Sequence, residues 1–157
     1  MGKTFKQKNE DAKSKGIKIA YDLFEGKNIV GVYGFFAIKE NKEEICFYIG
    51  KSTNIVYRLL GSSGGHIYMY LNNDYSKVVP LKIKEYIDKS WEVEVRILDE
   101  VDYHDISFSK AAHRLALAEL QRIVQYQKLN QCEYQVPEGF GPNGITYWEK
   151  NYMITDW

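Results

Sequence analysis

The chain has 157 residues, with 21 Lys plus Arg matched by 21 Asp plus Glu, a length that suits one domain with its own core. Zero net charge excludes an overall basic field as the route to nucleic acid and leaves only local patches for that task. Two cysteines exclude a disulfide framework, while thirteen tyrosines and three tryptophans exceed what packing needs and point to an aromatic contact surface.

In chain order, residues 1–16 carry Lys3, Lys6, Lys8, Lys13 and Lys15 among few apolar groups and read as a solvated arm or a frayed helix. They hold no apolar core for export, and Lys6 stands where a myristoylation signal needs Ser or Thr. With no apolar run long enough for a bilayer and too few cysteines for oxidised staples, a soluble, cytoplasmic protein is expected. Spacing at Ile19, Ala20, Leu23 and Phe24 predicts a short amphipathic helix over 17–24, closed by Gly26. "NIVGVYGFFAI" (28–38) and "ICFYIG" (45–50) are β-rich and flank the charged "KENKEE", which predicts an antiparallel hairpin. Gly31 and Gly34 interrupt its first strand, at a bulge or a close backbone approach.

The second strand ends in "FYIGKS", letters that also close a phosphate-binding loop. That loop needs a second glycine five positions before Gly50, where this chain has Ile45, and a flexible turn where this chain has a strand. A nucleotide loop is thereby set aside. The strand is expected to end at Gly50, with Ser52 or Thr53 capping a helix over "NIVYRLL". After the hinge "GSSGG" come a short helix in "HIYMYLNN", a second opened by Pro80, and a third strand over 91–101. In that strand Trp91, Val93, Val95 and Ile97 face inward and Glu92, Glu94 and Arg96 outward. The longest helix is predicted over 109–129, with apolar positions at Ala112, Leu115, Ala116, Leu120, Ile123 and Val124, and Cys132 near its end.

Glu119 is out of place on that helix. At 100° per residue it falls inside the apolar arc, near Leu115, Ile123 and Tyr126. A carboxylate there is salt-bridged, sits at the flank near Arg122 in water, or holds a cation.

Gly31-Val32-Tyr33 on one strand, Tyr48-Ile49-Gly50-Lys51 on the next, Arg58 in the following helix, and Glu119 then Asn130 on a later helix resemble, in that order, the GIY-YIG nuclease superfamily. The resemblance covers roughly residues 29–130. It implies an α/β fold with a three-stranded antiparallel sheet flanked by helices. It also implies a metal-dependent DNA endonuclease, a phosphodiester hydrolase of the small stand-alone restriction or phage kind. The turn between the first two strands is longer than the family's usual one, and "QKL" stands before Asn130 where the family often has a proline.

By the same resemblance Glu119 holds one divalent ion, Mg²⁺ first and Mn²⁺ as the alternative, and Arg58 clamps a phosphoryl oxygen. Tyr33 and Tyr48 line the site, either of them as general base once cations such as Lys51 and Arg58 lower its pKa. Gly50 permits a close approach, Asn130 supports the site or ends the Glu119 helix, and His66 stands where some relatives carry a proton-transferring histidine. Without the resemblance the tyrosines are a packing pair, Arg58 a surface ion-pair partner and Asn130 a helix cap. His104 and His113 carry no role, His113 lying on the apolar arc.

Residues 1–28 then form a basic arm and short helix, 29–130 the nuclease-like core with inserted helices at about 61–90, and 131–157 an aromatic-rich tail. The expected partner is double-stranded DNA, reached through the insertion, the arm and the tail, with no membrane involved. A homodimer or higher oligomer is expected because one site cuts one strand. The first reading is a type II restriction-like enzyme; the competing readings are a phage or repair endonuclease of the same family, a DNA-binding module of the same fold without chemistry, and an unrelated α/β protein. In the last case Tyr33, Tyr48, Arg58 and Glu119 do not converge.

Overall fold

The computed structural model describes residues 2–20, 23, 28–104, 108–132 and 135. Their elements run α1 (Phe5–Ser14), β1 (Ile17–Ile19), β2 (Gly31–Ile38), β3 (Glu44–Ser52), α2 (Ile55–Leu60), α3 (His66–Leu71), α4 (Val78–Asp88), β4 (Glu92–Glu100) and α5 (Phe108–Gln127). Mixed α/β architecture is as expected, but the sheet has four strands in the order β1-β4-β2-β3 and is mixed. The antiparallel trio β4-β2-β3 is extended by β1, which runs parallel to β4.

That extra strand replaces the helix expected over 17–24. Gly16, at φ +88°, turns the chain out of α1, and Ile17 and Ile19 then bury alternately while Lys18 faces water. A period of two suits pairing with Val93–Val95, and the hydrogen bonds of β4 outweigh a short helix's own propensity. Tyr21, Asp22 and Phe24 of the expected helix, and the Gly26 expected to close it, lie outside the described residues. Residues 5–14 form a regular helix rather than a loose arm. Thr4 and Gln7 make a reciprocal capping box, Ala12 is buried, and the Lys8 ammonium donates to the Leu60 carbonyl at 2.8 Å.

Helices α1–α4 cover one sheet face and α5 the other. The first core holds Ile17, Ile19, Tyr33, Phe35, Val93 and Val95 against Leu59, Ile67 and Ile83. The second holds Val32, Phe36, Cys46 and Ile49 against Leu115 and Ile123. β2 lies between two strands and two layers, so seven of its eight residues are buried. In β4 the alternation of Val93 and Val95 is as expected, with Trp91 just outside the strand. Its outward side is not plain solvent. Arg96 lies over the Phe36 ring, 4.3 Å from the centroid, and makes a two-pronged pair with Glu44 at 2.8 and 2.6 Å.

Three boundaries move. β3 runs on to Ser52, and Asn54 rather than Ser52 or Thr53 caps α2, accepting from the Tyr57 amide. α4 begins two residues before Pro80, which is accommodated in the first turn, where an amide hydrogen has no helical partner to lose. α5 ends at Gln127, and Asn130 and Cys132 follow in left-handed conformation. Its buried stripe runs through Ala111, Leu115, Leu117, Glu119, Leu120 and Ile123, whereas Ala112, Ala116 and Val124 are only partly buried.

After α5 the chain runs along the outer edge of β3. The Gln131 side chain accepts from the Cys46 amide at 2.7 Å, and the Cys132 amide donates to the Cys46 carbonyl at 3.2 Å. Gln135 accepts from the Ile49 amide at 2.8 Å and donates back to its carbonyl. Two glutamine side chains thus cover an edge that would invite strand pairing, each bond contributing about 1 kcal/mol. The remainder of the predicted aromatic tail lies outside the described residues.

Candidate active site

β2 and β3 pair so that Tyr33 opposes Gly50 and Phe35 opposes Tyr48. The register then slips: Phe36 opposes Cys46, leaving Phe47 as the extra residue of a β-bulge. Phe47 and Tyr48 consequently pack on the same face, while Cys46 and Ile49 pack on the other. The regular part of the ladder places Tyr48, opposite Phe35, on the face of Tyr33, and the bulge turns Phe47 to that face as well.

Gly50 has a specific reason here. A Cβ at that position would collide with the Tyr33 hydroxyl and the ring carbon that carries it. Glycine therefore lets the Tyr33 ring lie across β3.

His66, the first residue of α3, stands on the same face, and its Nε2 lies 3.1 Å from the Tyr33 hydroxyl. Its ring also meets Tyr48 edge-on at 5.2 Å and Phe35 at 5.8 Å. The histidine that the sequence ranked below the tyrosines is thus the residue in direct contact with one of them. Arg58, exposed on α2, reaches the Gly64 carbonyl at 3.4 Å, so the "GSSGG" hinge lies against it. The Tyr57 hydroxyl donates to Ser63 at 2.7 Å and ties the same hinge down.

Glu119 is buried on α5, only 8% exposed, and its Oε1 is 3.6 Å from the Lys51 ammonium at the end of β3. Of the three sequence alternatives for Glu119, the ion pair is present, with Lys51 and not Arg122. Arg122 is engaged with Asp99. Asn130 is exposed beyond α5 and lines a cavity with Tyr48, consistent with a helix-end residue. His104 is exposed and His113 partly buried on α5.

The charges act on one another. Burial pushes the Tyr33 hydroxyl pKa up, the neighbouring Tyr48 adds to this, and Arg58 opposes it in part. Tyr48 is raised chiefly by burial, with Arg58 and Lys51 opposing and Glu119 reinforcing. His66 is lowered to about 3, first by burial and then by the Arg58 charge, so it is neutral at physiological pH. Without a metal, neither phenol is lowered in the protein alone. Arg58 and Lys51 act in the expected direction, but desolvation of the phenols is the larger effect.

Of the four residues whose convergence separates a built site from coincidence, Tyr33 and Tyr48 lie 6.4 Å apart between ring centroids, and the charges of Arg58 and Glu119 act on both phenols, Arg58 lowering and Glu119 raising their pKa. No protein-family model matches the chain, and no curated protein or solved structure is similar to it. Geometry alone carries the reading of the site.

Beside Tyr48 the surface is concave. A cavity of about 440 Å³ is lined by Tyr48, Arg58, His66 and Lys77, and one of about 610 Å³ by Tyr48, Lys82, Tyr86 and Asn130. Val78, exposed at the start of α4, borders both, and no carboxylate lines either. A chain of zero net charge thus presents a locally cationic and aromatic groove beside its buried tyrosines. Among the described residues no three His, Cys, Asp or Glu side chains gather as a metal cage. One buried carboxylate fits a largely hydrated Mg²⁺ that takes further ligands from a phosphate, and does not fit zinc, which needs three or four protein donors. Among the described residues no helix is long and apolar enough to cross a membrane.

Proposed function

We propose that the protein is a metal-dependent DNA endonuclease of the GIY-YIG kind, with Tyr33, Tyr48, Lys51, Arg58, His66 and Glu119 as its site. The observation that carries this reading is geometric: the Tyr33 and Tyr48 rings share one sheet face at 6.4 Å, His66 Nε2 lies 3.1 Å from the Tyr33 hydroxyl, and Glu119 meets Lys51 at the end of the strand that carries Tyr48.

In this reading the DNA backbone lies in the groove beside Tyr48, with a phosphoryl oxygen on the Arg58 guanidinium, whose fixed fork of donors stays charged throughout. A divalent ion on Glu119, Mg²⁺ or Mn²⁺, supplies charge neutralisation at the phosphoryl group and the departing 3′-oxygen. Attack by water requires a proton acceptor. Both phenols are protonated in the protein alone, so Tyr33 serves best by passing its own proton to His66 Nε2 as it takes one from water. The low pKa of His66 opposes this, and an anionic phosphate on Arg58 offsets only the smaller of its two causes, burial being the larger. Tyr48, flanked by Arg58 and Lys51, is the alternative base.

A type II restriction-like role, acting as a homodimer on double-stranded DNA in the cytoplasm, is the finer form of the proposal. The two chains together would supply one site per strand. The test is incubation with supercoiled and linear DNA, with Mg²⁺ or chelator, alongside Glu119→Gln. Metal-dependent cutting that disappears in the variant supports the nuclease, and discrete fragments support restriction. Binding without cutting by both proteins, across several DNAs and with either metal, replaces it with a non-catalytic DNA-binding module.

A further inference from the structure

The chain has two cysteines, and folding brings them together from 86 residues apart. Their sulfurs are 3.5 Å from each other, both side chains are buried, and both are free thiols. The surrounding geometry holds them in register. The Cys132 amide donates to the Cys46 carbonyl at 3.2 Å, its thiol reaches the same carbonyl at 3.3 Å, and Gln131 fixes the Cys46 amide. Backbones that exchange a hydrogen bond at this range suit disulfide Cα separations, and closure from 3.5 Å to about 2.05 Å is within the reach of side-chain rotation.

We infer that Cys46 and Cys132 are a reversible oxidation site, a disulfide latch that fastens the segment after α5 to the outer edge of β3. This goes beyond the proposed hydrolysis and does not depend on it.

A small peroxide is the oxidant class that fits, because both cysteines line the open cavity of about 610 Å³ beside Tyr48. In the first step the Cys132 sulfur attacks one peroxide oxygen, the O–O bond breaks, and a sulfenic acid forms with release of water. In the second the Cys46 sulfur attacks the Cys132 sulfur, the S–O bond breaks, and a second water leaves with the thiol proton. The peroxide is reduced by two electrons and the thiol pair oxidised by two. The hydrogen-bonded Cys132 thiol and then burial push the Cys46 thiol pKa up, and Cys132 is the more exposed of the two, at 6% against 0%, so Cys132 meets the peroxide and Cys46 resolves. The reverse step needs only a reducing thiol. The product closes an 86-residue separation and so restricts the unfolded chain strongly. Cys46 lies two residues from Tyr48 and its thiol approaches the Tyr48 carbonyl at 3.7 Å, so the latch also anchors the strand that carries that phenol.

The test is treatment of the purified full chain with hydrogen peroxide, followed by intact mass, non-reducing peptide mapping and thermal melting. The expected result is loss of two hydrogen atoms with a peptide joining Cys46 to Cys132, reversal by dithiothreitol, and a melting temperature at least about 5 °C higher when oxidised. Cys132→Ala should give no such peptide. If that variant does not fold, Cys46→Ala and the dithiothreitol reversal in the wild type serve instead. Cross-linked dimers, sulfinic acids without a linked peptide, or unmodified thiols after unfolding-free exposure would overturn the inference.

Discussion

Arg122 and Glu119 stand three residues apart on α5, and each meets an opposite charge from the sheet side. Arg122 binds Asp99 with both prongs, at 2.7 and 2.9 Å, and the Leu98 carbonyl at 3.0 Å. Its Nε and Nη2 donors hold the helix to β4, while Nη1 donates to Gln125 on α5 itself. Glu119 is the more buried of the two, yet its contact with the Lys51 ammonium is at 3.6 Å, a charge-to-charge distance rather than a directed hydrogen bond. Burial of a charge is costly unless it is paired, and a contact made at charge-to-charge distance is reorganised more readily than a two-pronged hydrogen-bonded one when a new cation or anion arrives. The first pair has the form of a clamp and the second the form of a site.

Substitution separates the two most sharply. Glu119→Gln keeps shape and helix, and on the nuclease reading lowers the rate of DNA cutting by at least about 10³-fold while leaving the melting curve nearly in place. Arg122→Ala should do the reverse, and if it were the variant that abolished cutting, the division between clamp and site would be broken.

The pH dependence tests the other half of the site. Unfolded His66 takes its proton near 6.5, whereas the folded residue does so only at about 3. Between those values the unfolded chain binds more protons, so the stability is fully present above about 6.5 and is lost as pH falls toward 3, by on the order of 4 kcal/mol. Denaturant titrations at neutral and mildly acid pH should show a shallower fall for His66→Gln than for the wild type. Superimposable curves would contradict a buried, neutral imidazole.

Gly50→Ala sharpens the same point from the strand side. Its Cβ must displace the Tyr33 ring, which should destabilise the fold by about 1–3 kcal/mol and break the Tyr33–His66 contact. Arg122→Ala should cost about 1–2 kcal/mol in a chemical melt, modest because the pair is partly exposed. The smallest effect belongs to the groove. Lys77→Ala with Lys82→Ala should lower the slope of log affinity against log salt by about 2 in a DNA-binding titration, with any cutting chemistry retained at low salt.

The hairpin, the strand over 92–100 and α5 were legible because their hydrophobic periods are long and uninterrupted. β1 was not, since three residues cannot establish a period and the partner that makes them a strand lies more than seventy positions away. Glu119 was legible as an anomaly, a carboxylate where an apolar side chain belongs. Its partner was not: Arg122 is the near neighbour along the helix, yet Lys51 from β3 holds the pair. His66 had no local signal beyond following a glycine hinge, and its contact with Tyr33 depends on how α3 docks. That burial raises both phenols in the protein alone was not legible for a related reason, because sequence counts the cations but not the water that packing removes.

By itself, then, the sequence determined which residues carry charge, which faces are apolar and where glycine is needed, since these follow from side-chain chemistry and local spacing. Only the tertiary structure decided the rest. The β2–β3 register set Tyr48 beside Tyr33, the docking of α3 brought His66 to the phenol, and the return of the chain along β3 paired Cys132 with Cys46. Each of these is a contact between segments far apart in the chain, fixed by the requirement that buried surfaces and backbone groups all be satisfied at once.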